Sequence, residues 1–303
     1  MPYRVVVCAK QVPDTKNITG EAMKADGTIN RAALPAVFNP EDKNALELAL
    51  DLRDRFGGKV TVITMGPPRA ADILRDSLML GADAAVLLTD RGFAVADTLA
   101  TSYTLAKAVE RAGGADVVLC GRQAIDGDTA QIGPQLAGRL GIGQITYITG
   151  VAELGSGRIV ARRLIEGGYE TVDVKLPVLL TVTAEANEPR PPRAKLLMKY
   201  KHAKAPSELA QEIDPTRSMP AEELAAKVQE KVSALAPRGL VIPEWDGAAI
   251  AADMVQCGYI GSPTRVMKVE SAIIKQGKRK RVEATDEALK GLIHELVSDH
   301  ILG

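Results

Sequence analysis

The sequence predicts an α/β protein: a parallel sheet flanked by helices, with antiparallel strands added after residue 143 and a C-terminal arm beyond residue 190. Three observations carry that prediction. Short apolar runs alternate with amphipathic stretches from Tyr3 to Leu140, which is the pattern of parallel strands joined by crossover helices. After Gly143, four strand-like runs follow one another with only short turns between them. From Lys195 on, apolar positions are too sparse to build a separate core.

Residues 3–8 (Tyr-Arg-Val-Val-Val-Cys) form the first buried strand, and 10–14 a loop broken by Pro13. Residues 23–31 read as a small hairpin turning at Asp26-Gly27. Asn39 is placed to cap a helix whose first position is Pro40. Ala45, Leu48, Ala49 and Leu52 share one face of that helix, and Gly57-Gly58 stops it after Phe56. A second strand spans 59–65 and ends at Gly66-Pro67-Pro68; a helix over 70–80, a third strand over 84–89 and a helix from Asp97-Thr98 to Arg111 follow. The fourth strand is 116–120, and a helix runs over 131–140. The runs 146–154, 158–164, 169–174 and 178–183 are read together as antiparallel additions to the same sheet, with Gly155-Ser156-Gly157 and Gly167-Gly168 as turns. Pro189, Pro191 and Pro192 make a stiff, extended exit. The chain is therefore expected to divide into an α/β unit, 1–190, and an arm, 191–303, which holds helices over 221–235 and 285–302 and lies on its own domain or on a partner chain.

Composition removes several function classes. Charge is balanced at 38 basic and 38 acidic residues, which argues against nucleic acid or an anionic membrane as partner. No apolar run approaches the ~20 residues of a membrane span, and the chain enters a strand at once without a signal peptide, so a cytoplasmic protein is expected. Cys8, Cys120 and Cys257 are far apart, and Cys8 and Cys120 read as core thiols. His202, His294 and His300 all lie in the arm and read as surface residues, and no cluster has metal-ligand spacing. Neither a Gly-x-Ser-x-Gly elbow nor a phosphate-binding Gly-x-x-x-x-Gly-Lys loop occurs. The first strand is followed by Ala9-Lys10-Gln11-Val12-Pro13, not by a Gly-x-Gly-x-x-Gly fingerprint. Redox chemistry here would need a cofactor to carry it.

The stretch 120–134 is the organising feature. It joins the fourth strand to the next helix through Gly121, Arg122, Gln123, Asp126, Gly127, Asp128, Thr129, Ala130, Gln131, Ile132 and Gly133. In a parallel sheet such a loop lies at the carboxyl ends of the strands, where ligands bind, and the helix after it points N–H groups at the loop. Gly121 and Gly127 allow close approach of a ligand. Asp126 and Asp128 suit a ribose, a base or a helix cap. Asp97 suits a cap, whereas Thr98 and Thr101 face the same sheet edge. A ligand cradle and a plain strand–turn–helix connection both fit this spacing.

Several motifs in order resemble one family. Val7-Cys8-Ala9-Lys10-Gln11-Val12-Pro13-Asp14-Thr15, Phe38-Asn39-Pro40, Met65-Gly66-Pro67, Leu80-Gly81-Ala82-Asp83, the run 121–131, Asn187-Glu188-Pro189-Arg190 and Gly261-Ser262-Pro263-Thr264-Arg265 together resemble the β subunit of electron transfer flavoproteins. The resemblance implies an adenine-nucleotide α-hydrolase-like sheet and a heterodimer with a flavin-carrying α subunit. It implies a structural AMP in ordinary members, or an FAD at the same place in the electron-bifurcating branch. The Asp126-Gly127-Asp128-Thr129-Ala130 run resembles that branch. There NADH would supply two electrons, one bound for a high-potential acyl-CoA dehydrogenase-type partner and one for ferredoxin or flavodoxin. Carried over, Ala9, Asn39, Pro40, Asp42 and Met65 would line the adenosine pocket, residues 121–133 would wrap the ribose and phosphates, and Asp97, Thr98 and Thr101 would meet the pyrophosphate or flavin side. The stretch 187–199, opening on Asn187 and ending on Lys199, matches the family's dehydrogenase recognition loop, with Ala194 where a bulky aliphatic anchor is usual. Residues 209–255 look longer than the family's norm. A universal-stress-type nucleotide-binding module, which shares the sheet pattern, is the alternative outside this family.

Overall fold

A computed structural model describes residues 2–14, 34–264 and 281–298. The expected hairpin at 23–31, Arg265 and His300 lie outside them.

Nine strands form one sheet in the order β11-β5-β4-β1-β6-β10-β7-β8-β9. They are β1 (Tyr3–Cys8), β4 (Gly58–Met65), β5 (Ala84–Leu88), β6 (Val117–Gly121), β7 (Gly143–Gly155), β8 (Arg158–Ile165), β9 (Gly168–Lys175), β10 (Val178–Val182) and β11 (Glu244–Trp245). A separate antiparallel pair, β2 (Gln11–Pro13) and β3 (Ala36–Phe38), occupies part of the expected 10–14 loop. The helices are α1 (Pro40–Phe56), α2 (Ala71–Leu80), α3 (Thr98–Arg111), α4 (Ile132–Leu140), α5 (Ala194–Tyr200), α6 (Pro206–Ile213), α7 (Ala221–Leu235) and α8 (Asp286–Ser298).

The two-residue period of the central strands builds two cores. Val5, Val7, Val60, Val62, Val117 and Leu119 meet the apolar faces of α1 and α2, among them Leu46, Leu50 and Leu74. Val6, Cys8, Ile63, Val118 and Cys120 face Tyr103, Leu105 and Leu136 of α3 and α4. Helices therefore cover both faces, as parallel sheets require.

One expectation is corrected. Residues 178–182 are not an antiparallel addition: β10 pairs parallel with β6, Leu180 opposite Leu119, and parallel with β7. Its five residues are all buried, and a run buried on both faces belongs in the middle of a helix-covered parallel sheet. In this sheet the antiparallel pairings among the described residues are β7 with β8 and β8 with β9, connected by the two glycine turns, while β7 itself pairs parallel with β10.

Much of the arm lies on its own chain. Ala203, Ala205, Leu240 and Ile242 are buried in the α1–α2 core, and β11 extends the sheet beside β5. In contrast, α7 and α8 contain no buried residue. His202 and His294 are exposed. Among the described residues, no helix is long and apolar enough to cross a membrane.

Candidate functional site

Strand order reverses at β1: β4 and β5 lie to one side of it, β6 and β10 to the other. The crevice at such a switch point, beyond the carboxyl ends of the strands, is where open α/β sheets bind ligands. Here it is a cavity of about 830 Å³, toward the upper end of the ~300–1,000 Å³ typical of small-molecule sites.

The N-terminal turn of α1 is the anchor of this cavity. Asn39 stands at its N-cap, but its side chain makes no capping bond. Its amide instead spans to the 120–134 loop, donating from Nδ2 to Gln123 O (2.9 Å) and accepting at Oδ1 from Ile125 N–H (3.1 Å). Glu41 accepts from Gln123 N–H (3.0 Å) and pairs with the Arg122 guanidinium at 3.0 Å. That hydrogen bond to Glu41 raises the Arg122 pKa further. Buried Asp42 accepts from Gly121 N–H (2.8 Å) and from Lys10 N–H (2.9 Å), tying the ends of β6 and β1 together. Burial pushes its carboxyl up to about 7, against the lowering effect of those two N–H groups.

Gly121 is needed for this packing: a Cβ there would stand 2.6 Å from Asp42 Oδ1 and 2.7 Å from Asp42 N. At Gly133 a Cβ would stand 2.4 Å from Thr181 Cγ2 and collide with it. Gly127 differs from both. Nothing lies within 4 Å of a Cβ built on it, and it lines the cavity. The left-handed backbone that the loop requires falls instead on Asp128 (φ 49°) and Ala130 (φ 53°). Strain of this kind, about 1–3 kcal/mol for each residue, gathers at ligand clamps.

Neither loop aspartate caps α4, whose N-cap Gln131 makes no side-chain capping bond. Asp126 pairs with Lys10 Nζ at 2.7 Å, and Asp128 accepts from Gln123 Nε2 at 2.9 Å. Asp97 does cap α3, accepting from Ala100 N–H (3.0 Å), and also accepts from the Thr264 hydroxyl (2.7 Å). Partial burial works to raise its pKa, but these donors hold it below the usual carboxylate range. Thr98 Oγ1 donates to Gln131 Oε1 (2.7 Å), joining the starts of α3 and α4 across the cavity.

Of the residues singled out from sequence, Ala9, Asp42, Met65, Asp97, Thr98, Thr101 and most of 121–132 line the cavity, whereas Asn39, Pro40, Asp126 and Gly133 do not. The lining also includes Lys10, Pro67, Thr89, Arg91, Phe93, Val95 and Thr264. Those after β4 and β5 follow from the carboxyl-end rule once strand order is known. Thr264 arrives from the arm, where only the Gly261-Ser262-Pro263-Thr264 motif marks it. Among the described residues no cluster of His, Cys, Asp and Glu is arranged to hold a metal.

Comparison with known proteins agrees with this architecture. The family model for the electron transfer flavoprotein domain matches residues 26–229. The electron transfer flavoprotein subunit beta of Clostridium acetobutylicum is 39% identical over 98% of this chain and 99% of its own length. The chain belongs to the electron transfer flavoprotein β-subunit family. Residues 209–255 fall within the span aligned with the Clostridium protein, so the length of the arm is shared with at least one family member. CarD of Acetobacterium woodii, a subunit of a caffeyl-CoA reductase-Etf complex, is 48% identical over 62% of this chain and 71% of its own length. Protein FixA of Bradyrhizobium diazoefficiens is 38% identical over 95% of this chain and 89% of its own length.

Proposed function

We propose that this chain is the β subunit of a heterodimeric electron transfer flavoprotein that holds an FAD in the β1–β6 cavity. In that role it works with an α subunit to bifurcate electrons from NADH to a high-potential acyl-CoA dehydrogenase-type partner and to a low-potential ferredoxin or flavodoxin. The observation that carries the reading is the extent of the cavity. Its lining takes in Ala9, Asp42 and Met65, the open face of Gly127, and Asp97, Thr98 and Thr101. A volume of about 830 Å³ is more than a mononucleotide fills.

The residues present fit a dinucleotide. Ala9 and Met65 offer a small, apolar bed for an adenine, and the starts of α3 and α4 offer N–H groups and positive dipole ends to a pyrophosphate. When bound, the FAD supplies the electron transfer that no side chain of the chain can perform. Asn39, Glu41 and Asp42 fix the loop from behind, so the cradle is held in shape by contacts that the ligand need not make. The Thr101 hydroxyl at the cavity wall is placed to meet a ligand, whereas the Asp97 carboxylate is already engaged by Ala100 and Thr264.

The test is acid extraction of the purified heterodimer followed by chromatography of the released nucleotides. Two FAD and no AMP are expected for each heterodimer. One FAD and one AMP would place the protein in the ordinary branch, where the β-subunit nucleotide is structural.

A further inference from the structure

The segment that leaves the sheet after β10 is pinned to α1, and the pin lies apart from both the cavity and the tip of the segment. Pro189, Pro191 and Pro192 lack N–H groups, so Arg190 and Arg193 provide the only backbone donors over 189–193. Both are used: Arg190 N–H donates to Glu47 Oε2 (2.9 Å), and Arg193 N–H donates to Met79 O (3.3 Å). The Arg190 guanidinium adds a fork onto the same carboxylate, Nε to Oε2 at 2.9 Å and Nη2 to Oε1 at 2.9 Å, and reaches Asp54 Oδ2 at 2.8 Å. One turn earlier on α1, buried Asn44 exchanges amide bonds with Asn187, donating to its carbonyl at 2.7 Å and accepting at its own carbonyl at 3.0 Å. Glu47 and Arg190 are both largely shielded from water, and a shielded bidentate pair is far more directional than a surface ion pair.

The pin fixes the chain that leads into α5, which also packs along α2. The helix begins four residues after Arg190 and buries none of its residues. Leu197 is 39% and Met198 59% exposed, between Lys195, Lys199 and Lys201. No acidic residue occurs from 189 to 207, in a chain whose total charge is zero. The surface thus combines an apolar centre with a cationic rim. The same helix α1 grips the cavity loop through Asn39, Glu41 and Asp42, one to two turns from Asn44 and Glu47.

We infer that Arg190, locked onto Glu47, is a positioning residue: it presents the Leu197–Met198 face to the dehydrogenase-type partner and holds that face in fixed relation to the cavity. The inference rests on the partner reading proposed above and adds that the partner offers an acidic rim around an apolar pocket. Two variants test it in the purified heterodimer, Glu47→Ala, which removes the acceptor, and Arg190→Lys, which keeps the charge and loses the fork.

Hydrogen exchange is followed over 187–200, and steady-state electron transfer is measured with a purified acyl-CoA dehydrogenase and, separately, with a soluble dye. Both variants should exchange faster over 187–200 alone. They should raise KM for the dehydrogenase about tenfold while kcat stays within about twofold. Flavin content and dye reduction should be unchanged, and raised ionic strength should increase KM in the native protein. Unchanged exchange, or an unchanged KM, would overturn the positioning role, as would equal losses of flavin and dye activity. A native heterodimer that does not react with the dehydrogenase would overturn the partner reading instead, with exchange still deciding whether the pin orders the segment.

Discussion

Asp42→Asn is expected to remove a specific part of the pH dependence of folding. The Asp42 carboxyl is buried and pushed up to about 7 in the folded chain, against 3.8 when free. Between those values the folded state holds a proton that the unfolded state has released. The stability tied to this proton is therefore present at acid pH and is lost as pH rises through about 7. At about 1.4 kcal/mol for each pH unit the gap corresponds to at most ~4 kcal/mol, and structural relaxation in the interior reduces this. Asn cannot titrate. Its amide also offers only one oxygen where Gly121 N–H and Lys10 N–H now share two, and one unsatisfied buried N–H costs about 1–3 kcal/mol at every pH. Urea unfolding of the ligand-free chain at pH 5 and pH 7.5, followed by the fluorescence of the sole tryptophan, Trp245, measures both effects. The native chain should lose more stability than the variant between the two pH values, and the variant should be the less stable at pH 5. Equal pH slopes for the two proteins would refute the assignment of a neutral, buried Asp42.

Gly127→Leu should fold with stability within about 0.5 kcal/mol of the native chain, because its backbone is not left-handed and a side chain there meets only the cavity. The same variant should lower flavin content at this site while the α-subunit flavin is retained, as measured by extraction of the heterodimer; equal loss of both flavins would assign the loop a purely structural role. Cys8 and Cys120 should resist a thiol reagent at pH 8 in the native chain and react once urea unfolds it. Burial raises the Cys8 pKa to about 12, the nearby Asp42 adding to it, and lifts the Cys120 thiol well above its ordinary value. Rapid labelling of either thiol before unfolding would contradict this picture.

Most of the sheet and the position of the cavity were legible because the chemistry is local and repeated. Alternation of Val5, Val7 and Val6, Cys8 across a strand, a proline after Asn39, and paired glycines after Phe56 each act within a few residues. The 120–134 loop was legible for the same reason, since a glycine-rich turn between a strand and a helix has a fixed place in a parallel sheet. Strand β10 was not legible, since a five-residue apolar run has no direction in its sequence and its partners lie far away in the chain. The side-chain partners of Asn39 and Asp126 within the chain were not legible, because Gln123, Ile125 and Lys10 are more than 80 residues distant. Arg190 carried no local signal of its partner at all, as Glu47 precedes it by 143 residues.

The placement of β10 has a consequence for how the chain is made. Val178–Val182 slots between β6 and β7, which precede it and are not hydrogen-bonded to each other. Until the ribosome has released residue 182, both of those strands present bare, apolar edges toward the same gap. Open edges of this kind pair readily with other chains, and wide sequence separation slows the strand that closes them. A premature stop between Gly155 and Val178 would thus leave a fragment with helices α1–α4 and an unfilled slot in its sheet, which is a template for aggregation rather than a smaller working domain.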